Sequence, residues 1–130
     1  MLINCAVYQE GTKLRNVPTA EISNYVSQSD CFVWVALHDA EPVELEEMQR
    51  EFDLHALAVE DAHHGRQRPK IEEYGESLFT VMHLLEMVDG ELQVGELDVF
   101  AGKIMYYQCV IVANRTFLVS AIAVNMNRIY

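Results

Sequence analysis

An α/β fold, with a mixed β-sheet and helices packed on it as an α/β/α sandwich, is predicted by three features of this 130-residue sequence. Helix-like and strand-like segments alternate over its first half. CFVWVAL (Cys31–Leu37) is a continuous apolar run, the pattern of a central strand covered on both faces. After residue 69 the pattern becomes a meander, with Asp89-Gly90 as a hairpin turn between two strand-like runs.

In order along the chain, Leu2–Tyr8 reads as a strand turned by Gly11, and Lys13–Val17 pairs back on it. Pro18 and Thr19 open a helix through Val26, with Ile22, Tyr25 and Val26 on one face. The central strand Cys31–Leu37 carries Trp34 and Val35, both expected to be buried. Asp39 is the expected cap of the next helix, with Pro42 in its first turn and the helix continuing to Phe52. Its apolar positions Val43, Leu45, Met48 and Phe52 lie roughly on one side, which is expected to face the core. His55–His63 reads as a short helix ended by Gly65. Arg66–Pro69 is a loop, and Lys70–Tyr74, Ser77–Met87 and Glu91–Ala101 are strands. In the last of these, Leu92, Val94, Leu97, Val99 and Phe100 alternate imperfectly, which predicts a bulge near Gly95.

With 51% hydrophobic and 22% charged residues, the composition is that of one globular domain large enough to bury a core without disulfides. The formal net charge of -11 repels nucleic acid and attracts cations. Cys5, Cys31 and Cys109 are far apart and form no CxxC pair, so inert thiols in a reducing compartment are expected. No signal peptide and no run of about 18 apolar residues is visible, so no membrane segment is expected in this chain, which reads as soluble.

The densest polar cluster runs from Glu60 and Asp61 through His63, His64, Arg66 and Arg68 to Lys70, Glu72 and Glu73. Adjacent His63 and His64 point about 100° apart on a helix, and no HExxH is present, so a zinc centre is disfavoured. Adjacent Glu60 and Asp61 suit magnesium with retained waters if a second chain supplies more oxygens. The simpler reading of the same spacing is a solvated helix end with charge pairs. No nucleophile elbow, phosphate loop or dinucleotide fingerprint occurs, so the chain is not expected to be an enzyme.

LHALAVEDAHHGRQRPKIEEYGESLFTVMHLL (residues 54–85) resembles the most characteristic segment of the cytoplasmic domain of CorA-type magnesium/cobalt transport proteins. Val59-Glu60-Asp61, then Gln67, Arg68, Pro69 and Lys70, then Glu72 or Glu73 with Tyr74, match that pattern in order. WVALHD (residues 34–39) and GELDVFAGK (residues 95–103) resemble the family too. The resemblance implies a cytoplasmic regulatory domain over residues 1–103, belonging to a homopentameric channel of the cell inner (plasma) membrane that moves magnesium, cobalt or, in one branch, zinc. Glu60 and Asp61 would bind regulatory Mg2+ (or Co2+) between subunits, weakly in the isolated chain. They would sit at the exposed end of their helix, without cationic partners close enough to neutralise both. Gln67, Arg68, Pro69, Lys70 and Tyr74 would be structural motif residues. Stalk, membrane helices and Gly-Met-Asn signature are missing, so the chain is expected to be truncated and not transport-competent by itself. A soluble interaction domain of the same fold is the alternative.

All twenty Asp and Glu residues lie at or before Asp98, and residues 104–130 depart from the family pattern. Restoring one base at Lys103 allows a family-like peptide beginning NYVLSV, so residues 104–130 are expected to be frameshifted; a divergent apolar C-terminal strand and helix is the alternative. Within them Met105–Val112 is expected to pair as a strand, with Tyr106, Val110 and Val112 on one face. Beyond Asn114, a poorly packed tail exposing Phe117, Leu118 and Ile122 is expected.

Overall fold

The structure is a computed structural model that describes residues 1–102 and the backbone of Gln108–Asn114. The expectations for Tyr106, for the Cys109 thiol and for residues beyond Asn114 lie outside the described residues.

Seven strands form one sheet in the order β2-β1-β3-β7-β6-β5-β4. They are β1 (Leu2–Gln9), β2 (Thr12–Asn16), β3 (Cys31–His38), β4 (Lys70–Tyr74), β5 (Ser77–Val88), β6 (Glu91–Ala101) and β7 (Gln108–Asn114). β3 runs parallel to β7, and every other pairing is antiparallel, so the sheet is mixed as expected. β7 fills the slot between β3 and β6, in register from Val33↔Gln108 to His38↔Ala113 on one side. The run Gln108–Asn114 is rich in β-branched residues, which suit a strand flanked on both edges.

β3 is buried on both faces. Val33, Val35 and Leu37 point to one side and Trp34 and Ala36 to the other, none more than 5% exposed. The helices are α1 (Ser23–Val26), α2 (Pro42–Phe52) and α3 (Ala56–His64). All three pack on the first side, where Leu45, Met48 and Phe52 of α2 and Ala58, Val59 and Ala62 of α3 meet Val7, Phe79, Val81 and Phe100 of the sheet. On the other side Ala6, Tyr8, Trp34, Ala36 and Leu97 form a second buried cluster.

Four local expectations are corrected. The first helix is split into a 3-10 turn (Thr19–Glu21) and the single-turn α1. Its apolar side is nonetheless as expected: Ile22 is fully buried, with Tyr25 and Val26 against the same core. The cap of α2 is Glu41, not Asp39: the Glu41 side chain accepts from the third-residue N–H, and Glu44 accepts from the Glu41 N–H at 2.9 Å. Val43 faces solvent at 65% exposure, because at the second helical position it precedes the buried stripe of Leu45, Met48 and Phe52.

The fourth correction concerns β6. No bulge interrupts it, and the β5–β6 register is continuous from Leu78↔Ala101 through Leu84↔Gly95 to Val88↔Glu91. β4 and β7 flank the hairpin only at its base, so Gly95–Asp98 are buried while Glu91, Leu92 and Val94 are exposed. Alternation fails because the strand passes from two-sided cover to open solvent. At the hairpin tip Asp89 (φ 50°) and Gly90 (φ 78°) both take the left-handed conformation that a two-residue turn of this twist requires.

Phe79 carries the contact between the base of this hairpin and the helices. It is 1% exposed and its ring lies 4.8 Å from that of Phe100. Phe79→Ala is expected to cost about 3–5 kcal/mol of unfolding free energy. Val43→Ala, on the exposed side of α2, should cost under about 0.5 kcal/mol. Denaturant titration of the two variants checks the pair of values.

Candidate functional site

α3 begins where the His55 ring accepts a hydrogen bond from the Leu57 N–H (3.2 Å, Nδ1) and stacks on Tyr74 at 4.1 Å between ring centres. The helix ends at Gly65 (φ 63°), whose N–H donates to the Asp61 carbonyl at 2.9 Å. Ala58, Val59 and Ala62 face the sheet, which leaves Glu60, His63 and His64 exposed and Asp61 on the flank.

The two carboxylates therefore have different surroundings. Glu60 is exposed and forms no ion pair among the described residues; His64 Nδ1 donates to its backbone carbonyl at 3.0 Å. Asp61 is about a quarter exposed and receives the Lys70 ammonium at 2.6 Å. Thus one carboxylate is neutralised within the chain and the other is not. Lys70, the first residue of β4, also reaches Glu72 at 2.5 Å, and its ammonium lies 5.9 Å from the centre of the Phe79 ring. Its hydrogen bonds, first to Asp61 and then to Glu72, hold its pKa well above the usual lysine range. Glu72 is held below its usual value by Lys70 first and by Tyr74 second. The Tyr74 hydroxyl donates to Glu72, and that bond raises its own pKa.

The loop of the matched motif ties α3 to the hairpin. The Gln67 N–H donates to Glu96 Oε2 at 3.0 Å, and His83 Nε2 donates to the Gln67 carbonyl at 2.8 Å. Arg68 and Pro69 are exposed on the loop. A cleft of about 590 Å³ opens between the end of α3 and β5–β6, lined by His63, His64, Arg66, Gln67, His83 and Glu96 among others. No three His, Cys, Asp or Glu side chains among the described residues stand together in a way that could hold a metal ion.

Sequence reasoning missed a second acidic pair. Asp98 is completely buried and Glu96 is 7% exposed, and both point from β6 toward the helix layer. Burial first, and the neighbouring Glu96 second, push the Asp98 carboxyl up to about 8. The available sign was GELDVF itself, two acidic residues at strand spacing inside an apolar run.

Comparisons with known proteins agree on what this chain is similar to. A family model described as "CorA-like Mg2+ transporter protein" matches residues 29–127. "Putative metal ion transporter YfjQ" of Bacillus subtilis (strain 168) is 32% identical over 99 residues, which is 75% of this chain and 29% of that protein. The full-length CmaX protein superposes with a TM-score of 0.73 at 18% identity, over 96% of this chain and 38% of that one. The soluble domain of CorA from Methanocaldococcus jannaschii superposes with a TM-score of 0.62 at 12% identity, over 98% of this chain and 47% of that one. The chain thus spans less than a third of its curated relative and under half of each of these two solved chains. No described helix is long and apolar enough to cross a membrane. By the match of the family model to most of its length, the chain belongs to the CorA-like family.

Proposed function

We propose that this chain is the magnesium-sensing portion of a CorA-type divalent metal ion transporter, facing the cytoplasm at the plasma membrane and dependent on further chain for transport. The observation that carries the reading is the pair Glu60–Asp61, which lies in the middle of α3 rather than at its end; Glu60 is exposed and has no ion-pair partner among the described residues. A hard dication needs about six oxygens and keeps several waters, so two carboxylates alone make a weak site. Carboxylates from a neighbouring subunit, in a homopentamer, would complete it. Magnesium there would remove the repulsion between facing acidic surfaces, and its loss would restore that repulsion. Cobalt, a dication of similar charge, would occupy the same oxygens.

Lys70 acts as the intrachain competitor for this site. Its ammonium already occupies one Asp61 oxygen, so a dication must share or displace it. Replacing Lys70 by Met removes that competition. The effect is expected to be roughly tenfold tighter magnesium binding, or about 1.4 kcal/mol, because a pair about a quarter exposed is still discounted by solvent. Magnesium titration followed by amide NMR shifts reads this directly. Residues 59–62 should respond in the unaltered chain, with saturation only at high magnesium, and Glu60→Gln with Asp61→Asn should silence them. His63→Ala and His64→Ala should leave the response unchanged. A response centred elsewhere, with residues 59–62 unmoved, would refute the site.

For the tail, the proposal is that residues 104–130 arise from a one-base change of frame at Lys103. The abrupt end of acidic residues at Asp98 supports it. The family match nevertheless runs to residue 127. A β-branched run such as Gln108–Asn114 fills the slot beside β3 whatever its origin. A chain carrying the restored frame should be more soluble and should melt at a higher temperature than the present one. Equal solubility and equal melting temperature would show residues 104–130 to be a genuine part of the domain.

A further inference from the structure

Three acceptor oxygens beneath α3 have no donor among the described residues. Both carboxyl oxygens of Asp98 and Oε1 of Glu96 are buried, and no described group hydrogen-bonds to them. The two residues are two positions apart on β6, so their side chains share one face of the strand. Leaving such groups ionised and unpaired in the interior is costly, and two neighbouring carboxylates cannot satisfy each other because both only accept. A single proton changes this. The protonated carboxyl becomes a donor and the other its acceptor.

Among the described residues, the neighbouring charged and polar groups are committed elsewhere or carry the same sign. From α3, Asp61 adds a further negative charge above Asp98, and from β4 the Lys70 ammonium acts in the opposite sense but more weakly. Lys70 is committed to Asp61 and Glu72. On β5, Val81 stands opposite Asp98 and His83 opposite Glu96, and His83 already donates to Gln67. β7 places Val112 and Asn114 in register with Asp98 and Glu96. Glu96 Oε2 is occupied by the Gln67 N–H, which leaves Oε1 to face its neighbour.

We infer that the buried Asp98 carboxyl is a proton-binding site, which when protonated donates to Glu96 beside it and releases its proton in alkaline solution, so that the seating of α3 on the sheet depends on pH. The proton leaves to solvent through the cleft that Glu96 lines. Its loss places a second uncompensated charge under the helix, next to Asp61. The inference concerns protons alone and does not depend on metal binding at Glu60 and Asp61.

The sign follows from linkage. The Asp98 carboxyl is raised from 3.8 to about 8 in the folded chain, chiefly by burial. Between those values the folded chain holds a proton that the unfolded chain has given up. Stability from this source is therefore complete below about pH 4 and is lost progressively as pH rises through about 8.

Carboxyl 13C NMR of the uniformly labelled chain, titrated from pH 4 to pH 10, is the direct test. One Asp side-chain resonance should move with a midpoint near 8 and vanish from the spectrum of Asp98→Asn. If every carboxyl finishes titrating below about pH 6, the inference is overturned. Thermal midpoints give the second reading. The unaltered chain should melt at progressively lower temperature from pH 5 to pH 8 and level off above that, and Asp98→Asn, whose amide stands in for the protonated acid, should show no such fall. His83→Gln should keep the fall; if it abolishes it, the proton belongs to the histidine and the inference fails. Should Asp98→Asn not fold, the 13C titration of the unaltered chain decides alone.

Discussion

The two-sided burial of β3 is the constraint on which the rest of the structure depends. A strand with Val33, Val35 and Leu37 on one face and Trp34 and Ala36 on the other cannot lie at an edge or under a single layer. It needs a neighbour on each side and cover on both faces. β1 supplies one neighbour as an antiparallel partner and β7 the other as a parallel one. The parallel pairing requires a long crossover, and the chain between β3 and β7 contains α2, α3 and the whole β4–β5–β6 meander. The candidate site lies within that crossover, so its placement is a consequence of how β3 is covered.

From this layer arrangement the site's asymmetry follows. α3 is short, and its buried stripe is only Ala58, Val59 and Ala62. Small side chains let the helix approach the sheet closely. Asp61, one position before Ala62, is then brought to the sheet margin where β4 starts and meets Lys70, while Glu60 stays in solvent. Adjacent residues of like charge thus acquire different roles from a rotation of about 100° around the helix.

Much of the fold was legible in the sequence because its signals are local. The seven-residue apolar run, the Asp89-Gly90 turn and the glycine ending α3 each fix a feature within a few residues. The pairing of Lys70 with Asp61 was not legible. It joins residues nine apart across a loop whose path no periodicity encodes. The Glu41 cap was hidden because glutamate is an uncommon cap and Asp39 a common one, and geometry chose the residue immediately before Pro42. The imperfect alternation of β6 was visible but ambiguous. A bulge and a change in burial along a regular strand give the same sequence pattern, and only the positions of β4 and β7 distinguish them.

That ambiguity also concealed the buried acids. Under a bulge, Glu96 and Asp98 would have turned outward, as acidic residues in a strand ordinarily do. The regular register instead turns them inward, directly below the helix that carries Glu60 and Asp61. The chain therefore has two acidic layers, one solvated and one buried. Lys70 acts on both, binding Asp61 directly and opposing the charge of Asp98 from β4. In water a carboxylate pair is tolerated by screening, but in the interior it must recruit a counter-charge or a proton. With Lys70 held by the upper layer, the lower layer is left to the proton.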